Sequence, residues 1–85
     1  MASYRLLIKP SAAKELEGLS LKDRKRVATR IQRLASDPRP ADAEKLSGQD
    51  KHRLRQGNYR ILYSVDDATL TVLIVKIGHR REVYR

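Results

Sequence analysis

Four cationic side chains crowd one short stretch, KHRLRQGNYRILY, which begins at Lys51. Gly57-Asn58 tolerates the positive φ of a tight two-residue turn, so the stretch is predicted to form a β-hairpin. Counting outward from that turn pairs Arg55 with Arg60, and alternation places Lys51 and Arg53 on the same face of the sheet. Like charges on neighbouring strands destabilise a sheet by up to ~1 kcal/mol. A bound phosphate or carboxylate would reverse that sign, so this face is predicted to bind an anion.

The other face of the same hairpin is apolar apart from one histidine. The pairing places His52, Leu54, Tyr59, Ile61 and Tyr63 there. A face of this composition suits the floor beneath a helical layer, so His52 is interpreted as structural rather than catalytic.

A second group of candidate residues lies in the C-terminal GHRREVYR, which follows directly on an apolar run. His79, Arg80, Arg81 and Tyr84 are therefore expected near one end of the sheet. An aromatic ring with arginines nearby is a pattern used to bind single-stranded RNA, since the ring stacks on a base and the cations hold phosphates. A solvated basic tail is the alternative interpretation.

The overall charge agrees with an anionic partner. The 85 residues carry 19 Lys and Arg against 10 Asp and Glu, a net charge of +9, and residues 51–85 hold eight of the basic but only three of the acidic side chains. Such an excess indicates a nucleic acid or an acidic protein as partner. The absence of Cys excludes disulfides and thiolate chemistry, and with two His residues it argues against a structural metal. No signal peptide or membrane span is predicted, so the expected location is cytoplasmic.

Periodicity predicts the elements that position these residues. They are a strand over 3–9, a helix from Ser11 to Gly18, a helix from Ser20 to residue 35, a polar loop over 41–50, and strands over 51–56, 59–65 and 69–77. Ser20 with Asp23 three residues on is a weak capping-box signature for the second helix. That helix has one apolar stripe, and its other face carries Lys22, Arg24, Lys25, Arg26, Arg30 and Arg33. The strand over 69–77 is apolar at nearly every position, as expected of an inner strand covered on both faces.

These elements predict a single α+β domain over residues 1–85. An N-terminal strand and a helical hairpin would pack on one face of a small, mostly antiparallel sheet, in the order β-α-α-β-β-β.

At these stretches the sequence resembles the RelE toxins, within the RelE/ParE superfamily of toxin–antitoxin pairs. The resemblance covers nearly the whole chain and runs through PSAAKEL, DPRP, EKLSG, HRLRQGNYRILYSVDD and VLIVKIGHRREVY. It implies the same helical hairpin on a curved sheet. It also implies a ribosome-dependent endonuclease that cuts mRNA in the ribosomal A site and is neutralised by an acidic, RelB-like antitoxin.

The resemblance further implies a set of catalytic residues, which falls on Lys51, Arg53, Arg60, Arg80 and Tyr84. In metal-free RNA cleavage the ribose 2′-OH attacks the adjacent phosphorus, and no cofactor is expected. Lys51 would be the base, because crowding by cations disfavours its protonated form. The three arginines would hold the phosphate, since Arg stays protonated. Tyr84 would stack on a base or take part in proton transfer.

Three further residues are predicted to bind RNA without a fixed catalytic role: Arg55, His79 and Arg81. His79 could donate a proton to the leaving group near neutral pH. The tail differs from that of the best-known relative, being shorter and adding His79, and that relative has Lys where Arg53 stands.

Two other functions remain open on the sequence. A ParE-like chain would share the fold and inhibit DNA gyrase without nuclease chemistry, although such chains generally lack the complete cationic and Tyr set. A non-catalytic RNA-binding module or degenerate toxin is the second alternative.

Overall fold

The computed structural model describes residues 3–46 and 50–79, and within them the chain forms two helices and one five-stranded sheet. In chain order these are β1 (Arg5–Ile8), α1 (Pro10–Glu17), α2 (Leu21–Arg33), β2 (Glu44–Lys45), β3 (Lys51–Gln56), β4 (Tyr59–Asp66) and β5 (Thr71–His79). The strand order across the sheet is β1-β5-β4-β3-β2. Only the β1–β5 pair is parallel among these strands, which confirms a mostly antiparallel sheet. None of the described helices is long and apolar enough to cross a membrane.

The ends of the helices follow from their sequences. Pro10 opens α1, where its missing N–H costs nothing, and Gly18 follows its last residue. The Ser20 hydroxyl oxygen accepts a hydrogen bond from the Asp23 N–H at 3.3 Å, so the predicted cap of α2 is confirmed.

The helices lie over one face of the sheet and bury its apolar side chains. The largest of the fully buried side chains are Tyr63, Leu34, Leu54, Ile61, Ile74, Ile77, Val27 and Val72. They come from α2 and its C-cap Leu34 and from β3, β4 and β5; with Ala12 of α1 they form a core between the two helices and the three central strands. We call this covered side the inner face and the opposite side, which carries Lys51, Arg53 and Arg55, the outer face.

The prediction of a loop over 41–50 is wrong at Glu44 and Lys45. These residues form β2, which pairs with Arg53 and His52 of β3. Two adjacent charged residues show no alternation, and the pairing depends on a strand edge that only the folded chain supplies.

Strand β5 is central, as predicted, but its two faces are not equally covered. Val72, Ile74 and Ile77 are buried on the inner face, whereas Leu73 and Val75 are half-buried. The prediction of full cover on both faces was therefore only partly right. A bulge at Val75 shifts the pairing, because Tyr63 pairs with Ile74 but Leu62 pairs with Lys76.

Candidate active site on the outer face

The hairpin register agrees with the prediction at every pair. Gly57 has a φ of +60°, Arg55 pairs with Arg60, and Lys51 pairs with Ser64. The cationic side chains of this hairpin therefore lie on the outer face, opposite the helical layer.

His52 lies on the inner face, as predicted for a structural residue. It is 4 % exposed, and its ring stacks on that of Tyr63 with centroids 5.3 Å apart. Its Nε2 is 2.5 Å from Asp50 Oδ1. A histidine enclosed in this way has no route to a substrate on the outer face.

Arg60 is the most unusual member of the outer-face cations, because it is only 5 % exposed. Its strand neighbours are Arg55 on one side and Gly78, which has no side chain, on the other. Its Nη1 is buried and has no hydrogen-bond partner within residues 3–46 and 50–79. Leaving a buried donor unpaired costs about 1–3 kcal/mol, and more when the group is charged. An anion beside this guanidinium would remove that cost.

Arg53 is held by an acidic residue on the neighbouring strand. Its guanidinium donates a hydrogen bond to Glu44 in an ion pair. That hydrogen bond, with the charges of Arg53, Arg55 and Arg60, holds the pKa of Glu44 below its ordinary value. The carboxylate of Glu44 is thus within electrostatic reach of three outer-face arginines. No pattern in the sequence predicts this contact, because it depends on strand β2, which was predicted as loop.

These residues surround a cavity of about 350 Å³, lined by Asp42, Glu44, Arg53, Arg55 and Arg60. Asp42 forms a second ion pair at its rim, with Arg30 of α2 at 2.6 Å. The cavity therefore combines three guanidinium groups with two carboxylates. It could bind a phosphate once the ion pair between Glu44 and Arg53 opens.

Lys51 is exposed and lies on the outer face, two residues from Arg53 on the same strand. It does not line the cavity. Two residues of a strand span roughly 7 Å, so Lys51 lies about that far along β3 from Arg53, the first arginine of the group.

The structure places His79 away from this cavity. It pairs with Tyr59 across the sheet, and the two rings meet edge-on with centroids 6.0 Å apart. Together with Asp23 and Arg26 of α2 they line a different cavity, on the inner side of the hairpin tip. The RNA-binding role predicted for His79 stays a prediction. Arg80, Arg81 and Tyr84 lie outside the described residues.

A polar network holds the start of β3, where Lys51 is located. Arg39 bridges Asp50 and Asp67, with 2.8 Å to Asp67. The Tyr4 hydroxyl donates to Asp67 at 2.6 Å, and the Val65 N–H donates to the Asp50 carbonyl at 3.0 Å. Sequence reasoning missed this network, since its members are far apart in the chain.

The network predicts a loss of stability in acid. The hydrogen bond from Arg39 lowers the pKa of Asp67; burial raises that of Asp50, but bonds from His52 and Arg39 outweigh it. Carboxyls with lowered folded-state pKa values stabilise the protein above the unfolded pKa, about 3.9, and lose that effect as pH falls below it. Urea unfolding at neutral pH and in acid should therefore show a smaller loss of stability in acid for Arg39→Met than for the wild type, and the difference should be small because solvent screens these partly exposed groups. Arg5→Met, an exposed arginine outside the network, is the control; identical pH dependence in all three proteins would contradict the assignment.

Comparison with known proteins places this geometry in a family. The model for the ParE toxin of the parDE type II toxin–antitoxin system matches residues 6–84. Toxin RelG of Mycobacterium tuberculosis is 48 % identical over 31 residues, which span 36 % of this chain and 36 % of that relative.

The fold is shared with solved toxins. RelE in an archaeal RelE–RelB complex from Pyrococcus horikoshii is 27 % identical, with a TM-score of 0.81 over 94 % of this chain and 98 % of the other. A mutant of E. coli toxin RelE bound to an antitoxin RelB peptide is 30 % identical, with a TM-score of 0.75 over 99 % and 92 %. The chain therefore belongs to the ParE toxin family of type II toxin–antitoxin systems, and within the RelE/ParE superfamily it is a RelE-type toxin.

Proposed function

We propose that this toxin is a ribosome-dependent mRNA endonuclease that cuts the messenger in the A site. The observation that carries the proposal is the buried guanidinium of Arg60, with Nη1 unpaired, beside Arg53 and Arg55 on the outer face. A scissile phosphate in that cavity would meet cations that cannot be deprotonated. They would stabilise the charge that develops on the equatorial oxygens in the transition state.

In the proposed reaction the ribose 2′ oxygen forms a bond to phosphorus and the bond from phosphorus to the 5′ oxygen breaks. Lys51 takes the 2′-OH proton, and Tyr84 gives a proton to the leaving oxygen. The products are a cyclic phosphate and a free 5′-OH. Arg80 adds to the phosphate clamp, and Arg55 and Arg81 hold the flanking backbone.

The chemistry explains the proposed need for the ribosome. Lys51 lies two residues, roughly 7 Å, from Arg53 along β3 and does not line the arginine cavity. The protein alone then supplies charge but little alignment, and the ribosome would supply the in-line geometry of the messenger.

We also propose an acidic, RelB-like antitoxin as the partner. The P. horikoshii and E. coli relatives were solved with RelB chains or peptides. The net charge of +9 favours association with an acidic chain.

A ParE-like activity against DNA gyrase is the second candidate. It is favoured by one observation, the match of residues 6–84 to the ParE toxin model. In this case the outer-face cations would bind a protein or DNA without cleavage chemistry. A non-catalytic RNA-binding protein remains the third possibility, and expression without growth arrest would favour it.

The direct test adds the purified protein to ribosomes programmed with a defined mRNA and follows cleavage by primer extension. We expect cuts at the A-site codon that carry a 5′-OH, and little cutting of the same RNA without ribosomes. Rapid cleavage of free RNA would contradict ribosome dependence, and intact mRNA on ribosomes would contradict the nuclease proposal.

Glu44 should compete with the substrate, because it occupies Arg53 in the free protein. Glu44→Gln removes that charge and should lower KM on programmed ribosomes by about threefold, because Arg53 no longer has to leave an ion pair to meet the substrate. The kcat should stay unchanged. Glu17→Gln, an exposed acid at the end of α1, is the matched control. A higher KM in Glu44→Gln would show that the carboxylate helps to bind the substrate.

A further inference from the structure

A second cationic surface lies on the other layer of the molecule, along α2. Its members recur at intervals of three and four residues, which places them on one side of a helix. We call them the α2 stripe: Lys22, Lys25, Arg26, Thr29 and Arg33. The buried residues Val27 and Ile31 lie on the opposite side of the helix, so the stripe lies on the exposed side of α2 and borders the end of β3 at Gln56.

The stripe is exposed and uncompensated. All five of its side chains are exposed. The one ion pair that α2 makes within the described residues uses Arg30, which lies beside the stripe and bonds to Asp42. The single acid of α2, Asp23, is half-buried at its first turn. Four neighbouring cations without an acid among them repel one another, which is a cost that an anionic ligand would relieve.

The stripe also has a concave side. A shallow groove of about 310 Å³ runs between α2 and the end of β3, and its lining includes Lys25, Arg26, Thr29, Arg33 and Gln56. Apart from the aliphatic stems of Lys and Arg, these are hydrogen-bond donors suited to phosphate oxygens.

We propose that the α2 stripe is a second nucleic-acid-binding surface that grips the phosphate backbone of a duplex. Members of the stripe three or four residues apart have Cβ atoms about 5–6 Å apart, and Arg33 lies about 10 Å along the helix from Arg26, which gives a row of charges along a rod rather than a single pocket. A row of positive charge fits a row of phosphates. The stripe contains no apolar or aromatic side chain, and the exposed Leu21 stands singly at the start of α2, whereas stable protein partners bury a larger apolar core.

This surface is separate from the proposed cleavage site. The groove beside the stripe and the arginine cavity share no lining residue, and only the Arg30–Asp42 ion pair connects their edges among the described residues. Binding to the stripe is therefore independent of whether the outer face cuts RNA, and it can be measured without ribosomes.

The test compares two triple variants of the full chain with equal net charge. Lys22→Gln, Lys25→Gln and Arg33→Gln neutralise the stripe with a good helix former. Arg5→Gln, Lys9→Gln and Lys14→Gln remove three exposed cations elsewhere and serve as the control. Binding to a fluorescein-labelled RNA duplex and to a DNA duplex of the same sequence is followed by anisotropy between about 50 and 200 mM salt. Circular dichroism verifies that both variants are folded.

We expect the stripe variant to bind duplexes at least about tenfold more weakly at low salt, with a salt slope smaller by roughly 2–3, since each phosphate contact contributes about 0.9. The control should stay within about threefold of the wild type. If the stripe binds the RNA and the DNA duplex equally, the ligand is the phosphate backbone that they share. If it binds only one of them, that duplex is the ligand. Equal losses in the two variants, no loss in either, or stripe-dependent binding of poly-glutamate without duplex binding would overturn the proposal.

Discussion

Replacing Arg60 by Met should abolish cleavage on the ribosome and at the same time stabilise the protein. The side chain is 5 % exposed with an unpaired Nη1, so a neutral side chain of similar length relieves a buried, unsatisfied charge. The expected gain in the free energy of unfolding is about 1–3 kcal/mol. Loss of a charged donor to the transition state should reduce cleavage by about 10²–10³-fold. Urea unfolding and primer extension on programmed ribosomes measure the two effects.

A gain in stability together with a loss of cleavage distinguishes this prediction from simple unfolding of the variant. A structural arginine would lose stability and activity together when it is replaced. Arg5→Met, an exposed arginine on β1, is the control and should change neither quantity appreciably. Full cleavage by a stable Arg60→Met protein would show that the buried guanidinium has no part in the reaction.

The second large effect is expected from the C-terminal tail. Arg80→Ala and Tyr84→Ala should each reduce cutting on ribosomes by about 10²-fold or more, because one removes a phosphate contact and the other a stacking or proton-transfer group. Both residues follow β5 and lie outside the part of the chain that the structure describes, so their roles rest on the family resemblance. Unfolding curves should match those of the wild type.

Arg85→Ala is the matched control for the tail, since it removes a cation from the same segment without touching the proposed set. Its activity should stay within about threefold of the wild type, because Arg85 does not belong to the proposed catalytic set. If cutting and toxicity persist in both Arg80→Ala and Tyr84→Ala, the tail is not part of the site.

The sequence was sufficient to predict which face each hairpin residue occupies. A two-residue turn at Gly57-Asn58 fixes the register, and the period of two then assigns every side chain to a face. The same counting placed His52 in the core and Arg60 on the outer face. These are local consequences of turn chemistry.

Three features could not be predicted because they depend on contacts between distant segments. Strand β2 forms only by pairing with the edge of β3, and this pairing places Glu44 beside Arg53. The burial of Arg60 depends on its neighbour on β5. The alternation of side chains along a strand predicts the face on which Arg60 lies but not how deeply it is buried. The bulge at Val75 sets that neighbour, because without it Ile77 rather than Gly78 would stand beside Arg60.

The most direct test of the central claim maps mRNA 5′ ends across cells that express this chain, alone or with Arg60→Met. We expect new 5′-OH ends within translated frames, in phase with codons, in the wild type and not in the variant. Intact messengers accompanied by DNA breaks would contradict the account and would point to a ParE-like action on gyrase.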